Sequence, residues 1–345
     1  MNHNNYNDKG LTGLVNLGNS CYMNTALQCI SNTLELTDYL LSEKNIKDIK
    51  NDDKGIILKE LIKLLNGIWE ENCIISPNSF HLNFRKYCMK YDIPNFSDFR
   101  QNDTHEFITI ILDIMHEAIS RKVNITISGI VVNELDSMAL NAMKNWKDFF
   151  KSNYSKIIDI FYGQYVSTIS SLDKSLNSKS YEPFPSITLE IPNVENVDIY
   201  DCFDHFVSPE VLDGDNKYYW EEKKEHIISQ KSIKIWNAPK VLIICFKRFF
   251  TKQNGIFKNN QFVGFPIDNL NLVKYCEGYE KFNSIYNLYG VCNHSGGSGG
   301  GHYYAYCKNT NGKWYEYNDK RVSEINKSVI ITDNAYCLFY KKIKY

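Results

Sequence analysis

The chain reads as an α+β fold. Apolar residues recur at helical spacing through its first third, strand patterns take over from about Gln164, and the last hundred residues are strand-rich. In order, helix-like segments fall around residues 21–41, 56–70 and 104–118. The first is carried by Met23, Ala26, Leu27, Ile30 and Leu34, the third by Phe107, Ile110, Ile111, Ile114 and Met115. Residues 121–145 are less periodic and read as a surface excursion before a helical stretch at 146–160. Strands are expected at 165–169, 186–191 and 231–236. Near the C-terminus, Tyr303 to Cys307 and Trp314 to Tyr317 flank the turn chemistry of residues 308–313, which predicts a hairpin. No internal repeat is apparent.

Composition excludes several classes. The 345 residues are 43% hydrophobic and 14% aromatic, enough for a large core. Formal net charge is −1 and the sequence pI is near 6.7, so no polyanion such as a nucleic acid is implied as a partner. The longest apolar run, Val241 to Phe246, is far too short to span a membrane, and the polar start of the chain lacks the apolar core of a signal peptide. Ten irregularly spaced cysteines in such a chain read as reduced thiols, pointing to the cytoplasm or nucleus.

Two distant segments carry the chemistry. Cys21 follows the helix-capping residues Asn19 and Ser20, which places its thiol at a helix N-terminus. Unpaired N–H groups and the helix dipole there favour a thiolate, and can bring a cysteine pKa from ~8.5 down to roughly 3.5–7.5. The plainer alternative is a small buried cysteine packing a helix. His302 follows Gly299, Gly300 and Gly301, which read as part of a mobile loop. The hairpin returns Asn318 and Asp319 opposite His302, and either could accept a hydrogen bond from the imidazole. That is the Cys-His-Asn logic of nucleophilic catalysis, although a histidine at a strand start is more often a surface or core residue. His294 competes, but before the glycine loop its position would be poorly fixed.

At this point the chain resembles the ubiquitin-specific proteases, papain-like deubiquitinating cysteine peptidases. The family's cysteine box matches Gly13 to Asn24, a second signature matches Gln101 to Phe107, and the histidine box runs from Tyr289 through Asn293, His294, Gly300, Gly301, His302 and Tyr303 to Asn318 and Asp319, closing at Ala335 to Tyr340. The resemblance implies one catalytic domain over residues 10–343 behind a polar tail at 1–9. It divides that domain into a helical thumb (about 10–160), β-rich fingers (about 161–236) and an antiparallel-sheet palm (about 237–343).

It further implies cleavage after the terminal Gly-Gly of ubiquitin. Cys21 would attack, His302 would move the proton, Asn318 with Asp319 nearby would orient the ring, and Asn16 would donate to the oxyanion. Gln101, Asp103, Glu106, Gly300, Gly301 and Tyr303 would line the substrate path. Asp103 and Glu106 also fit a plain helix cap, and both readings can hold. Related enzymes often carry zinc in the fingers on four cysteines. The matching positions are Ser171, Lys174, Trp220 and Lys223, so no metal or other cofactor is expected. Cys202 and His205 have ligand-like spacing, a weak signal. The remaining alternatives are the same chemistry on a ubiquitin-like modifier, or a ubiquitin-binding scaffold with little catalysis.

Overall fold

The computed structural model describes residues 6–43, 47–173, 175–253, 255–297 and 299–343. Eight α-helices are assigned among them: α1 (Cys21–Ser31), α2 (Leu34–Leu40), α3 (Asp53–Glu70), α4 (Asn78–Lys90), α5 (Thr104–Ile119), α6 (Glu134–Phe150), α7 (Lys156–Phe161) and α8 (Ile199–Val207). The expected helix at 21–41 is broken at Asn32 and Thr33, whose side chains turn back onto the Gln28 and Cys29 carbonyls. The expected excursion at 121–145 is helical from Glu134 onward. A reciprocal capping box between Asn133 and Asp136 starts α6 there.

The palm is one large sheet. Its main path runs β17 (Arg321–Ile325), β16 (Trp314–Asn318), β15 (Gly300–Lys308), β14 (Ile285–Gly297), β18 (Ala335–Lys342), β10 (Val241–Phe246) and β5 (Ile187–Leu189), with β13 (Leu270–Asn271) beside β14. It is antiparallel except at one edge, where β10 and β5 run parallel. Both faces are covered. Along β10 every residue is buried, with Val241, Ile243 and Cys245 turned to the thumb core and Leu242, Ile244 and Phe246 to the core beneath α8. A strand buried on both sides needs a continuous apolar run, which is how residues 241–246 read.

Fingers form a second sheet, ordered β4 (Asn177–Phe184), β3 (Gly163–Ser171), β9 (Ser229–Asn237) and β6 (Glu210–Leu212). Its root packs on α6 through Val166, Tyr181 and Trp236 against Met138, Ala139 and Ala142. The N-terminal tail is tied down from Tyr6. Thr310 donates to the Tyr6 carbonyl and Asn309 to that of Lys9; residues 1–5 of the expected tail lie outside the described residues.

Of the ten cysteines expected as reduced thiols, Cys245 and Cys337 lie in register on β10 and β18 with their Cα atoms 4.3 Å apart and their sulfurs in contact, and the other eight are free. Three free thiols meet behind α1, where Cys29 lies 3.8 Å from Cys307 and 3.6 Å from Cys292.

The thumb core is an aromatic cluster in which Phe107 of α5 touches Tyr22, Phe80, Phe84 and Phe96, all fully or almost fully buried. Truncating Phe107 to alanine removes contacts to four rings that cannot all collapse inward. We expect Phe107→Ala to cost about 3–5 kcal/mol in urea unfolding, and to disturb Tyr22 and with it the start of α1.

Candidate active site

Cys21 opens α1, as its neighbours in sequence suggest, but the local cap differs from the expected one. Ser20 stands at the N-cap without a side-chain cap bond. Its hydroxyl instead accepts from Leu17 N at 2.8 Å, and the Asn16 Oδ1 atom accepts from the Gly18 and Ser20 amides at 3.0 and 3.2 Å. Gly18 and Asn19 take the left-handed conformation this tight loop requires (φ 90° and 55°). The α1 N-terminus is thereby left open toward the thiol, which is met by the backbone amides of Tyr303, Tyr22 and Cys21.

Those amides do not win. Burial is the largest influence on Cys21 and pushes its pKa up; the amides oppose this, and the Asp319 carboxylate adds to the rise. The expectation of a spontaneously depressed thiol pKa is therefore reversed. Cys21 is only 3% exposed, and the desolvation cost of a thiolate outweighs the helix terminus.

The glycine run before His302 is a paired strand rather than a mobile loop. Ser295 faces His302, Gly296 faces Gly301 and Gly297 faces Gly300 across β14 and β15; Ser298, at the tip, lies outside the described residues. Gly301 must be glycine, since a Cβ would stand 2.3 Å from His294 Nε2. His294 is itself held firmly, contrary to expectation. It is buried between the rings of Phe249 and Tyr303, and burial, then Lys258, then His302 lower its pKa to about 4.

The hairpin brings His302 and Asn318 together as expected, with Nε2 donating to Asn318 Oδ1 over 2.7 Å. An amide oxygen accepts only, so this bond assigns the ring proton to Nε2 and leaves Nδ1 as the basic nitrogen. Glu316 accepts from the Asn318 Nδ2 group at 3.4 Å, which keeps the amide in that orientation. Asp319 turns elsewhere because its own backbone is left-handed (φ 49°). Its carboxylate takes Asn16 Nδ2 at 2.9 Å and Asn24 Nδ2 at 2.8 Å. Asn24 was not singled out in the sequence; its place within the Cys21 helix, one turn on, was the available signal.

Beside these groups lies a cleft of about 340 Å³ between thumb and palm, lined by Gln101, Asp103, Glu106, His294, Gly300 and Tyr303. Asp103 is the α5 cap, its Oδ1 accepting from His105 N at 2.7 Å and Glu106 N at 3.0 Å, while Oδ2 accepts from the Tyr336 hydroxyl at 2.6 Å. Glu106 does not close a capping box. Its carboxylate faces the cleft and accepts from Asn95 at 3.2 Å, so it is the freer of the two acids. Tyr303 is buried, its ring against His294 and Tyr336.

A family model described as ubiquitin carboxyl-terminal hydrolase matches residues 12–340. The chain belongs to that family. Ubiquitin carboxyl-terminal hydrolase 2 of Bos taurus and that of Homo sapiens are each 34% identical over 343 residues, covering 96% of this chain and 55% of theirs. This chain thus spans about half the length of those curated relatives. A probable ubiquitin carboxyl-terminal hydrolase of Acanthamoeba polyphaga mimivirus is 28% identical, covering 97% of this chain and 90% of its own. Among solved structures, the SAGA DUB module with Ubp8 bound to ubiquitin aldehyde aligns at TM-score 0.75 and 26% identity, over 97% of this chain and 70% of the other. The fold is the papain-like α+β fold of this family, with helical thumb, sheet palm and β-rich fingers.

The finger tip does not suit the zinc that the family resemblance brings into question. Ser171 donates to Asp173 at 2.6 Å, and Asp173, also bonded by Ser175, has its pKa lowered to about 2 by those bonds, with Lys223 adding to the effect. The Lys223 ammonium sits 4.0 Å over the Trp220 ring. A protonated amine and an indole donate no lone pair to a metal. Lys174 lies outside the described residues. Among the described residues no cluster of three or more His, Cys, Asp or Glu side chains is arranged to hold a metal, Cys202 and His205 included. After dialysis against a chelator, elemental analysis should find no stoichiometric zinc, and the melting curve should be unchanged. Zinc at one equivalent whose removal lowers the melting temperature would overturn this reading of the tip.

Proposed function

We propose that the chain is a thiol-dependent deubiquitinase that hydrolyses the peptide or isopeptide bond after the C-terminal Gly-Gly of ubiquitin. The observation that carries the proposal is that the Cys21 thiol, at the start of α1, meets the backbone amide of Tyr303, next to a His302 whose Nε2 is held by an amide oxygen at 2.7 Å. Family membership and the relatives bound to monoubiquitin and ubiquitin aldehyde support ubiquitin as the substrate.

Cys21 is the nucleophile in this mechanism. Because burial holds its proton on, His302 must take that proton as the sulfur attacks the carbonyl carbon. The proton then goes to the leaving amine. Asn318 keeps the ring in the required tautomer. The oxyanion is met by Asn16, one of whose Nδ2 hydrogens is held by Asp319 while the other is left to donate. Glu106, and more weakly the already bonded Asp103, provide negative charge for a basic tail approaching through the cleft. A nucleophilic thiol needs reducing surroundings, which supports the cytoplasm or nucleus as its place of action.

Ubiquitin carrying a C-terminal electrophile should become covalently attached to the wild-type protein. Cys21→Ala should abolish both capture and turnover while binding of unmodified ubiquitin persists. Capture of a ubiquitin-like modifier instead would redirect the substrate assignment, and binding without capture by the wild type would indicate a scaffold.

Asn318, which ends β16, and Asp319, which follows it, should separate kinetically. Asn318→Ala frees the His302 ring and should lower kcat on the order of 10²–10⁴-fold. Asp319→Ala loosens Asn16 and Asn24 and should cost no more than an oxyanion donor does, on the order of 10²–10³-fold. A clearly larger loss for Asp319→Ala, measured on a fluorogenic ubiquitin amide, would exchange their roles.

A further inference from the structure

Gly301 has no strand partner on its outer edge, because β16 pairs with β15 only from Ala305 onward. A side chain takes that place. Gln101 Nε2 donates to the Gly301 carbonyl at 3.0 Å and Gly301 N donates to Gln101 Oε1 at 3.1 Å. The primary amide thus pairs with the glycine as a neighbouring strand would, one donor and one acceptor each way. Two residues on, the Tyr303 amide, on the same edge of the strand, meets the Cys21 thiol. His302 therefore sits between two backbone tethers, one to a thumb side chain and one to the thiol itself. Gln101 is in turn anchored within its segment. Asp103, two residues later, caps α5 and accepts from Tyr336 of the palm, and Phe99, two residues earlier, receives Asn19 Nδ2 at 2.8 Å.

We propose that Gln101 is a positioning residue for the reaction: its amide fixes Gly301, and through Gly301 the strand that presents His302 to Cys21. This deepens the proposed function, in which the cleft residues serve only to contact the substrate tail, and it rests on that reading for the substrate used in the test. A substrate contact would act on KM. A tether on the histidine strand acts on the reacting pair whether or not substrate is bound. The clamp is exposed in the free protein, so water competes for it there, and an extended chain in the adjoining cleft would shield it.

The experiment compares wild type, Gln101→Ala and Gln101→Glu, after confirming by thermal melting that each is folded. Turnover of ubiquitin carrying a C-terminal fluorogenic amide gives kcat and KM, and chloroacetamide alkylation of Cys21 without ubiquitin, followed by peptide mass mapping, reports the pair itself. Gln101→Ala should lower kcat by about tenfold to a hundredfold, leave KM within about twofold, and slow alkylation of Cys21 at neutral pH. Gln101→Glu tests the rung: a protonated carboxyl donates and accepts like the amide, whereas the carboxylate opposes the Gly301 carbonyl. Its alkylation rate relative to wild type should therefore be higher at pH 5 than at pH 8. A raised KM with unchanged kcat and unchanged alkylation, or no change at all, would overturn the proposal. If the wild type fails to turn over ubiquitin, the functional reading falls, while alkylation still decides the role of Gln101.

Discussion

Helix α1 is enclosed on every side, with thumb helices over one flank and strands β14 to β16 of the palm under the other, and that enclosure fixes where residues 21 and 302 meet. All eleven of its residues are buried, the polar ones included. A polar group in such a place must find a partner, and each partner found ties the helix to another part of the chain. Gln28 donates to the Thr12 carbonyl, Asn24 to Asp319, and Thr33, just beyond the end of α1, meets Tyr289 of the palm. The apolar positions fix the helix by area and the polar ones by direction. Sliding α1 along the sheet would break several of these bonds at once, so the thiol at its N-terminus inherits a position determined by the whole interface.

The same enclosure sets the chemistry of the thiol. An exposed helix N-terminus would lower its pKa through the dipole, an effect of a few tenths to about 2 kcal/mol. Removing a thiolate from water costs more than that unless a counter-charge is supplied. Hence the upward shift of Cys21, and hence the weight the proposed mechanism places on the His302 ring, whose Nε2 is engaged by Asn318. In the mechanism proposed above, the reactive form of the thiol then arises only beside its base.

Much of this was legible in the sequence because it is local or strongly patterned. The apolar period behind Cys21 and the aromatic strands around His302 read directly as what they became, whereas the six-residue apolar run at 241–246, noted only as too short for a membrane span, became a strand buried on both faces. Other elements carried weaker signals. Helix α4 (Asn78–Lys90) went unread, since its exposed face is rich in polar residues; Pro77 before it and the spacing of Phe80, Phe84 and Tyr87 were the available clues. Helix α8 is short, and its start is marked by the Asp198 and Asp201 capping box rather than by a long apolar stripe. The parallel edge between β5 and β10 is a nonlocal choice that alternation along either strand does not encode. At the site, residue types were readable but directions were not. That Asp319 faces Asn16 and Asn24 while Asn318 faces His302 follows from one left-handed residue. That Gln101 pairs with a backbone two hundred positions away depends on the closing of thumb on palm.

That closing has a consequence for how the site comes into being. The turn bearing Asp319 is held by the first strand of the chain, β1 (Gly13–Leu14). Leu14 N donates to the Asp319 carbonyl, and Gly13 packs so tightly that a Cβ would stand 2.3 Å from the Lys320 carbonyl oxygen. The loop after β1 carries Asn16, which the Asp319 side chain then holds, and the helix after that loop carries Cys21. The two ends of the chain therefore build one object, and neither the thumb nor the palm contains it alone. Bringing together segments some three hundred residues apart costs loop-closure entropy that only the assembled interface offsets. Residues 21 and 302 are consequently brought together only where α1 packs on β14, β15 and β16, and their placement depends on that seam.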